Sequence, residues 1–215
     1  HFGRNSTALD QSAFAPHMSL DNAYAGNRSY IQTLRAYNRA SPKPTFYNEG
    51  NYEDGRWGGH ASTRPHQMRA QAYWAILSGA TGHIFGSDHI WSYGATVGGG
   101  SMPPGDWRAG MDRQGSREMV YVKRLLGERA WQNLVPDQDH TVVIDGYGTF
   151  WEDKKPGGDY VTAARTSDGS LVMAYIPSTG TEARTITVNM TKLSGAANAR
   201  WYNPTDGTYR SIAGS

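Results

Sequence analysis

Between residues 27 and 86 the sequence switches repeatedly between helical and strand periodicity, with only a few residues at each change, and few folds accept that alternation. Tyr30, Ile31, Leu34 and Tyr37 fall on one helical face, predicting a helix over about 27–40 that Asn27 caps and Ser41-Pro42 stops. Thr45 to Tyr47 is a short apolar and aromatic run, the pattern of a buried strand. A second helix is expected over about 63–78, with Pro65 in its first turn, Met68, Ala72, Ala75 and Ile76 on one face, and Gly79 at its exit. Gly82 to Gly86 reads as another short buried strand. Helix, strand, helix, strand with short connections is the signature of parallel β/α units, so the expected fold class is α/β. A further strand is expected near 14–20, with His17 in it or at its end.

The character changes beyond residue 91. Ser92 to Gly115, with Gly98-Gly99-Gly100 and Pro103-Pro104, reads as one long loop. A third helix is expected over about 116–128, with Met119, Val122, Leu125 and Leu126 on its inner side. Short strands punctuated by turns follow, at about 142–145, 160–165, 171–176, 185–189 and 199–202. Ser167-Asp168-Gly169 and Asn203 to Gly207 supply the turn chemistry. The expected division is therefore residues 1–135 as an α/β part and 136–215 as a small all-β domain, a sandwich.

Composition narrows the function. Charged residues make up 19% of the 215, the net charge is +2, and no basic cluster of the kind that grips phosphates occurs, so nucleic acid is not an expected partner. No apolar run approaches the roughly 20 residues of a membrane span, so no membrane association is expected. Absence of cysteine excludes disulfides, thiol catalysis and Cys-ligated metal, and no His/Asp/Glu spacing demands a metal ion or other cofactor. Aromatic residues reach 12%, with 13 Tyr and 7 Trp, which suits either aromatic-lined carbohydrate surfaces or an aromatic core.

The predicted strand at 45–47 ends abruptly in Asn48, Glu49 and Gly50, and a polar loop follows through Tyr52, Glu53 and Asp54. A rigid strand fixes a carboxylate and the following loop opens it to substrate, so Glu49 and Glu53 are the candidate catalytic carboxylates. Read as solvated loop charges, they would do no chemistry.

Lys43-Pro44 through Glu53, then Arg69 to Gly86, then Trp91, resemble the C-terminal half of the apiosidase-like glycoside hydrolase family. Trp131-x-x-Leu134-x-Pro136-Asp137 and the ending Trp201-Tyr202-Asn203-Pro204-x-x-Gly207 resemble the domain that follows the barrel there, one labelled collagen-binding. The resemblance implies the C-terminal portion of a (β/α)8 barrel followed by a β-sandwich. It implies a retaining glycosidase in which Glu49, on the seventh strand, is the nucleophile. A second carboxyl about 5 Å away would protonate the leaving oxygen. In this family that acid/base follows the fourth strand in a Gly-Gly-Asp setting. Gly157-Gly158-Asp159 lies in the β domain and reads as a turn, so the acid/base is expected upstream of residue 1.

The same resemblance assigns substrate contacts. Asn48 and Glu53 flank the nucleophile, Tyr52 and Trp57 either stack on a sugar or cover the barrel mouth, and Trp91 is the expected floor of a subsite. Asp88 would bind hydroxyls. His17 would orient substrate, although Ala15-Pro16-His17-Met18-Ser19 departs from the family's strand end. His83, within a strand, reads as a core histidine, and Arg69 as a solvated helix residue. A carbohydrate substrate and a secreted or periplasmic location follow from the family alone. The start at His1, without Met or leader, reads as a segment of a longer protein, so an N-terminal fragment or a second subunit is expected to complete the barrel. The alternative is a non-catalytic carbohydrate- or collagen-binding module on a barrel remnant; His-Glu-x-x-His, which a zinc collagenase would carry, is absent.

Overall fold

Four short strands form the first sheet. β1 (Ser6–Thr7) pairs antiparallel with β2 (Asp21–Tyr24), while β2, β3 (Thr45–Glu49) and β4 (Gly82–His83) lie side by side and parallel. The computed structural model describes residues 3, 5–26, 28–56, 62–92, 107–151, 157–180 and 182–213. Crossovers between the parallel strands carry α1 (Ser29–Tyr37) and α2 (Pro65–Leu77), both packed against the sheet. Pro65 opens α2 where its missing N–H costs nothing, and the Gln67 amide accepts the Arg64 N–H at 2.8 Å. Gly79, at φ 96°, ends it in the left-handed region that other residues avoid.

The expected strand at 14–20 is a correction. Ala15–His17 form a 3-10 turn, Phe14 and Leu20 are exposed, and the strand begins only at Asp21. Pro16 cannot donate to a ladder, and apolar residues that face solvent give a strand nothing to bury. Asp21, by contrast, is fully buried and accepts the N–H groups of Leu9 at 3.1 Å and Asn22 at 2.8 Å.

Beyond β4, α3 (Asp88–Ser92) and α4 (Trp107–Met111) occupy the ends of what the sequence suggested was one loop; residues 93–106 lie outside the described residues. Gly110 lets these two helices touch, since a Cβ there would lie 3.2 Å from the His89 ring. α5 (Gln114–Gly127) then buries Val122, Leu125 and Leu126.

The remaining chain is antiparallel. β5 (Leu134–Pro136), β7 (Thr162–Thr166) and β8 (Val172–Tyr175) form one sheet in the order β5-β7-β8; β6 (Val143–Asp145) pairs with β9 (Thr187–Val188), and β10 (Arg200–Tyr202) with β11 (Tyr209–Ser211). Gly169 and Gly207, at φ 71° and 74°, complete the two predicted turns.

One hydrophobic core runs through both halves, from Ala23 and Tyr47 through Trp74 and Leu77 to Tyr160 and Tyr175. α2 is its axis. Met68 and every residue from Ala70 to Leu77 are buried, because the parallel sheet covers one side and the antiparallel strands the other. Trp74 donates its indole N–H to the Tyr160 carbonyl at 2.9 Å, and Tyr73 stacks on Tyr175 at 4.7 Å. The first sheet differs between its faces: Thr45 and Tyr47 of β3 are buried, whereas Phe46 and Asn48 on the other face are half-buried and Ile84 is 48% exposed.

Candidate active site

The C-terminal ends of β2, β3 and β4 point the same way, and the residues that follow them converge. Ala23 pairs with Tyr47 but Tyr24 pairs with Glu49, so Asn48 is the extra residue of a bulge that re-aims the strand end. Glu49 then stands at the last position of β3, half-buried, with its carbonyl accepting the Ala25 N–H at 3.2 Å. Its carboxylate Oε1 accepts the Tyr52 hydroxyl at 2.9 Å. Burial first, then the Glu49 hydrogen bond and charge, push the Tyr52 phenol well above its usual range, so it stays a donor.

Trp91, the most open of the three, meets the Tyr52 ring edge-on at 6.0 Å and is 56% exposed. Gly86 permits this wall, because a Cβ there would come within 2.7 Å of the Tyr52 ring. Asp88 is buried at the start of α3, where burial raises its carboxyl and the His89 charge partly opposes the rise. Its charge also reaches Tyr52.

Two residues missed by sequence reasoning hold this end together. Gln71 of α2, 1% exposed, accepts the Asn51 N–H at 2.6 Å and donates to the Asn51 carbonyl at 3.1 Å, clamping the loop after β3. Gly50 leaves room for it: a Cβ there would strike Gln71 and lie 2.6 Å from the Tyr47 hydroxyl. Arg113 is the other, donating to Asp54 through Nε at 2.7 Å and Nη2 at 2.6 Å, with His89 Nε2 on the same oxygen at 3.2 Å. A Gln within the otherwise apolar stretch Ala70 to Leu77 was the available signal for the first; nothing local marked the second.

The expected residues separate into groups. Glu49, Tyr52, Trp91 and Asp88 come together at one end of the sheet, with Asn48 in the bulge beside them. Glu53 is next in sequence yet turned away and 2% exposed, its oxygens accepting the N–H groups of Gly115 at 2.6 Å and Ser116 at 3.2 Å. Its carboxylate therefore caps α5, and burial raises its pKa against those two hydrogen bonds. His17 stands at the opposite end, exposed in the turn ahead of β2, a turn tied to the start of β3 by Lys43 bonds to the carbonyls of Ala15 and Met18. Trp57 lies outside the described residues. His83 is half-buried on β4 rather than in the core, stacks on Tyr47 at 5.6 Å, and has its pKa lowered to about 4 by burial, which keeps the ring neutral near pH 7. Arg69 is not solvated: it pairs with the buried Glu118 of α5. Among the described residues no group of His, Asp and Glu could hold a metal ion, and no helix is long and apolar enough to cross a membrane.

Known proteins give this arrangement a context. Residues 3–133 match the family model described as "Apiosidase-like, catalytic domain". The chain belongs to this family. Residues 135–215 match a second model, described as "Putative collagen-binding domain of a collagenase". Among solved structures, a glycoside hydrolase family 5 protein from Bacteroides vulgatus superimposes with a TM-score of 0.75 at 23% identity, covering 97% of this chain and 47% of its own. Another, described as a glycoside hydrolase, gives 0.69 at 20% identity, covering 97% of this chain and 49% of its own. Likeness at such identities is likeness of fold, and the apiosidase-like chain spans about half the length of each neighbour. No curated protein matches it.

Proposed function

We propose that this apiosidase-like chain is the C-terminal part of a retaining glycoside hydrolase acting on polysaccharide outside the cytoplasm. In this reading residues 1–135 contribute the last strands of a (β/α)8 barrel and 136–215 are an appended β-sandwich. Preceding strands, in the same polypeptide or a second one, close the barrel over Phe46 and Ile84 and bring the acid/base carboxyl. The observation that carries the reading is the placement of Glu49 on the last residue of a parallel strand, its Oε1 held by the Tyr52 hydroxyl at 2.9 Å beside the exposed Trp91.

The chemistry follows from that placement. Glu49 attacks the anomeric carbon as the glycosidic C–O bond breaks and the acid/base protonates the departing oxygen. The glycosyl ester is then opened by water, whose proton returns to the same acid/base, and Glu49 leaves as carboxylate. Tyr52 holds the Glu49 carboxylate in position for attack through its hydroxyl on Oε1, Asn48 and Asp88 are placed for sugar hydroxyls, and Trp91 for the apolar face of a ring.

Incubation with a panel of activated 2-fluoroglycosides, followed by intact-mass and peptide analysis, tests this directly. One glycosyl unit on the peptide carrying Glu49, absent from Glu49→Gln, is the expected result, in the presence of the barrel-completing segment. Labelling elsewhere, or turnover that Glu49→Gln leaves intact, rules the assignment out.

A further inference from the structure

We infer that Trp151, carried by the C-terminal half, is a sugar-stacking platform that extends the Glu49 site along a polysaccharide chain. The inference rests on the hydrolase reading for its direction, but the platform itself is a feature of the surface. Trp151 precedes β7 in sequence, yet it docks beside the segment that leaves β2. Tyr30, fully buried on α1, donates its hydroxyl to the Trp151 carbonyl at 3.2 Å, fixing the backbone. Phe150 packs at 5.0 Å on both Tyr30 and Tyr160, a second anchor. The indole lies 5.8 Å from the guanidinium of Arg28, a buried residue that donates Nε to the Gly157 carbonyl at 2.8 Å. So the backbone of Trp151 is fixed, Arg28 lies over its ring, and the residue is still 46% exposed.

That combination is what a ligand platform needs and a core residue does not. A tryptophan whose backbone is anchored while its side chain stays about half in water presents apolar area that a ligand can cover. An indole fixed before the ligand arrives loses little rotamer freedom when a pyranose face covers it, and its electron-rich face suits the polarised C–H groups of sugars.

Position makes the ligand a long one. Ala25 binds the Glu49 carbonyl, and the Tyr47 hydroxyl donates to the carbonyls of Ala25 at 3.0 Å and Gly26 at 2.8 Å. Arg28 follows two residues later in the segment that leaves this end of the sheet, so by chain reach the indole beside it lies at most roughly 30 Å from Glu49. A stacking surface carried by a different segment from the Trp91 wall serves a neutral chain of several sugar units rather than a single glycoside. Trp151 would then hold a distal unit while Trp91 holds a proximal one.

The test is calorimetric binding of cello- and xylo-oligosaccharides, from disaccharide to hexasaccharide, to this chain, Trp151→Ala and Trp151→Phe, with thermal melting of each variant. Expected are hexasaccharide affinity about tenfold weaker in Trp151→Ala, near-native affinity in Trp151→Phe, and disaccharide affinity unchanged in both. Equal hexasaccharide affinity in chain and Trp151→Ala overturns the inference, as does the absence of oligosaccharide binding to the native chain. Binding of a collagen-like Gly-Pro-Pro peptide at Trp151 in place of sugars overturns it too. The two proposals fail separately: fluoroglycoside labelling of Glu49 with no Trp151 effect removes only the platform. Length-dependent binding through Trp151 without labelling removes only the hydrolase.

Discussion

Glu53→Ala removes both oxygens that accept the Gly115 and Ser116 N–H groups, at 2.6 and 3.2 Å, and leaves those donors at the buried start of α5. Hydrogen bonds to a charged partner contribute about 1.5–3 kcal/mol each, and the burial that raises the Glu53 pKa offsets part of that. These two bonds are themselves the cap of α5, so nothing is added for it, and after the burial offset the net cost is about 2–4 kcal/mol. Glu53→Gln keeps one acceptor but turns its amide N–H2 toward a backbone donor, for a cost of about 1–2 kcal/mol. Gly115→Ala attacks the same cap from the other side, because its Cβ would lie 2.6 Å from Oε1 and 2.9 Å from Cδ of Glu53, at about 1–3 kcal/mol.

Urea unfolding near neutral pH, followed by circular dichroism, reads these costs as midpoint shifts at constant m-value. Glu53→Ala should fall furthest and Glu53→Gln least far below the native protein. A pH series adds a second readout. The fold raises the Glu53 pKa, so the native state binds this proton more tightly than the unfolded chain. Stability from this group is greatest below the ordinary glutamate pKa and declines as pH rises through the raised value, a decline that Glu53→Gln abolishes. The capping argument is refuted if Glu53→Ala unfolds at the native midpoint while fluoroglycoside labelling of Glu49 disappears, for then Glu53 serves the reaction and not the helix.

Other perturbations read different parts of the structure. Glu118→Ala strands the Arg69 guanidinium between α2 and α5 and should cost about 3–5 kcal/mol, whereas Arg69→Met with Glu118→Leu should cost less than that single change; a urea double-mutant cycle compares them. Burial holds His83 neutral with a pKa of about 4, so its contribution is complete above the unfolded value of about 6.5 and lost as pH falls through 4. His83→Phe should therefore remove roughly 3 kcal/mol of the stability difference between about pH 7 and pH 3, measured by denaturant unfolding. Under the proposed hydrolase reading, Tyr52→Phe deletes the donor to Glu49 and should lower kcat/KM for glycoside cleavage by about tenfold, with a thermal midpoint within a few degrees of native.

What the sequence revealed depended on how local the cause was. Thr45 to Tyr47, the run of small residues in α2 and the turns at Gly169 and Gly207 are set by neighbours in the chain, and each was legible. β2 was not, because its sequence Asp-Asn-Ala-Tyr carries no apolar run; Asp21 is buried for the hydrogen bonds it accepts from Leu9 and Asn22. Glu49 was placed at a strand end by the break in pattern after Tyr47. Glu53, four residues on, offered the same chemistry to a reader of sequence, but its partners lie 62 and 63 residues away at the start of α5. His17 failed for a related reason, since a strand shifted past residue 20 moves everything before it to the far end of the sheet.

The two halves of the chain are joined through side chains rather than through a linker, and this bears on the site. Gln71, Tyr73 and Trp74 lie within four consecutive residues of α2. The first clamps Asn51 in the loop that carries Tyr52, and the others hold Tyr175 and the Tyr160 carbonyl of the antiparallel half. Ser29, at the start of α1, donates to the Gln71 carbonyl at 2.7 Å, one residue from the Tyr30 that fixes Trp151. A buried helix of this kind moves as a unit, since its interior neighbours are close-packed on every side. The loop behind Glu49 and the antiparallel strands at Tyr160 and Tyr175 are therefore held by the same element, so a disturbance of the antiparallel half reaches the candidate site through α2.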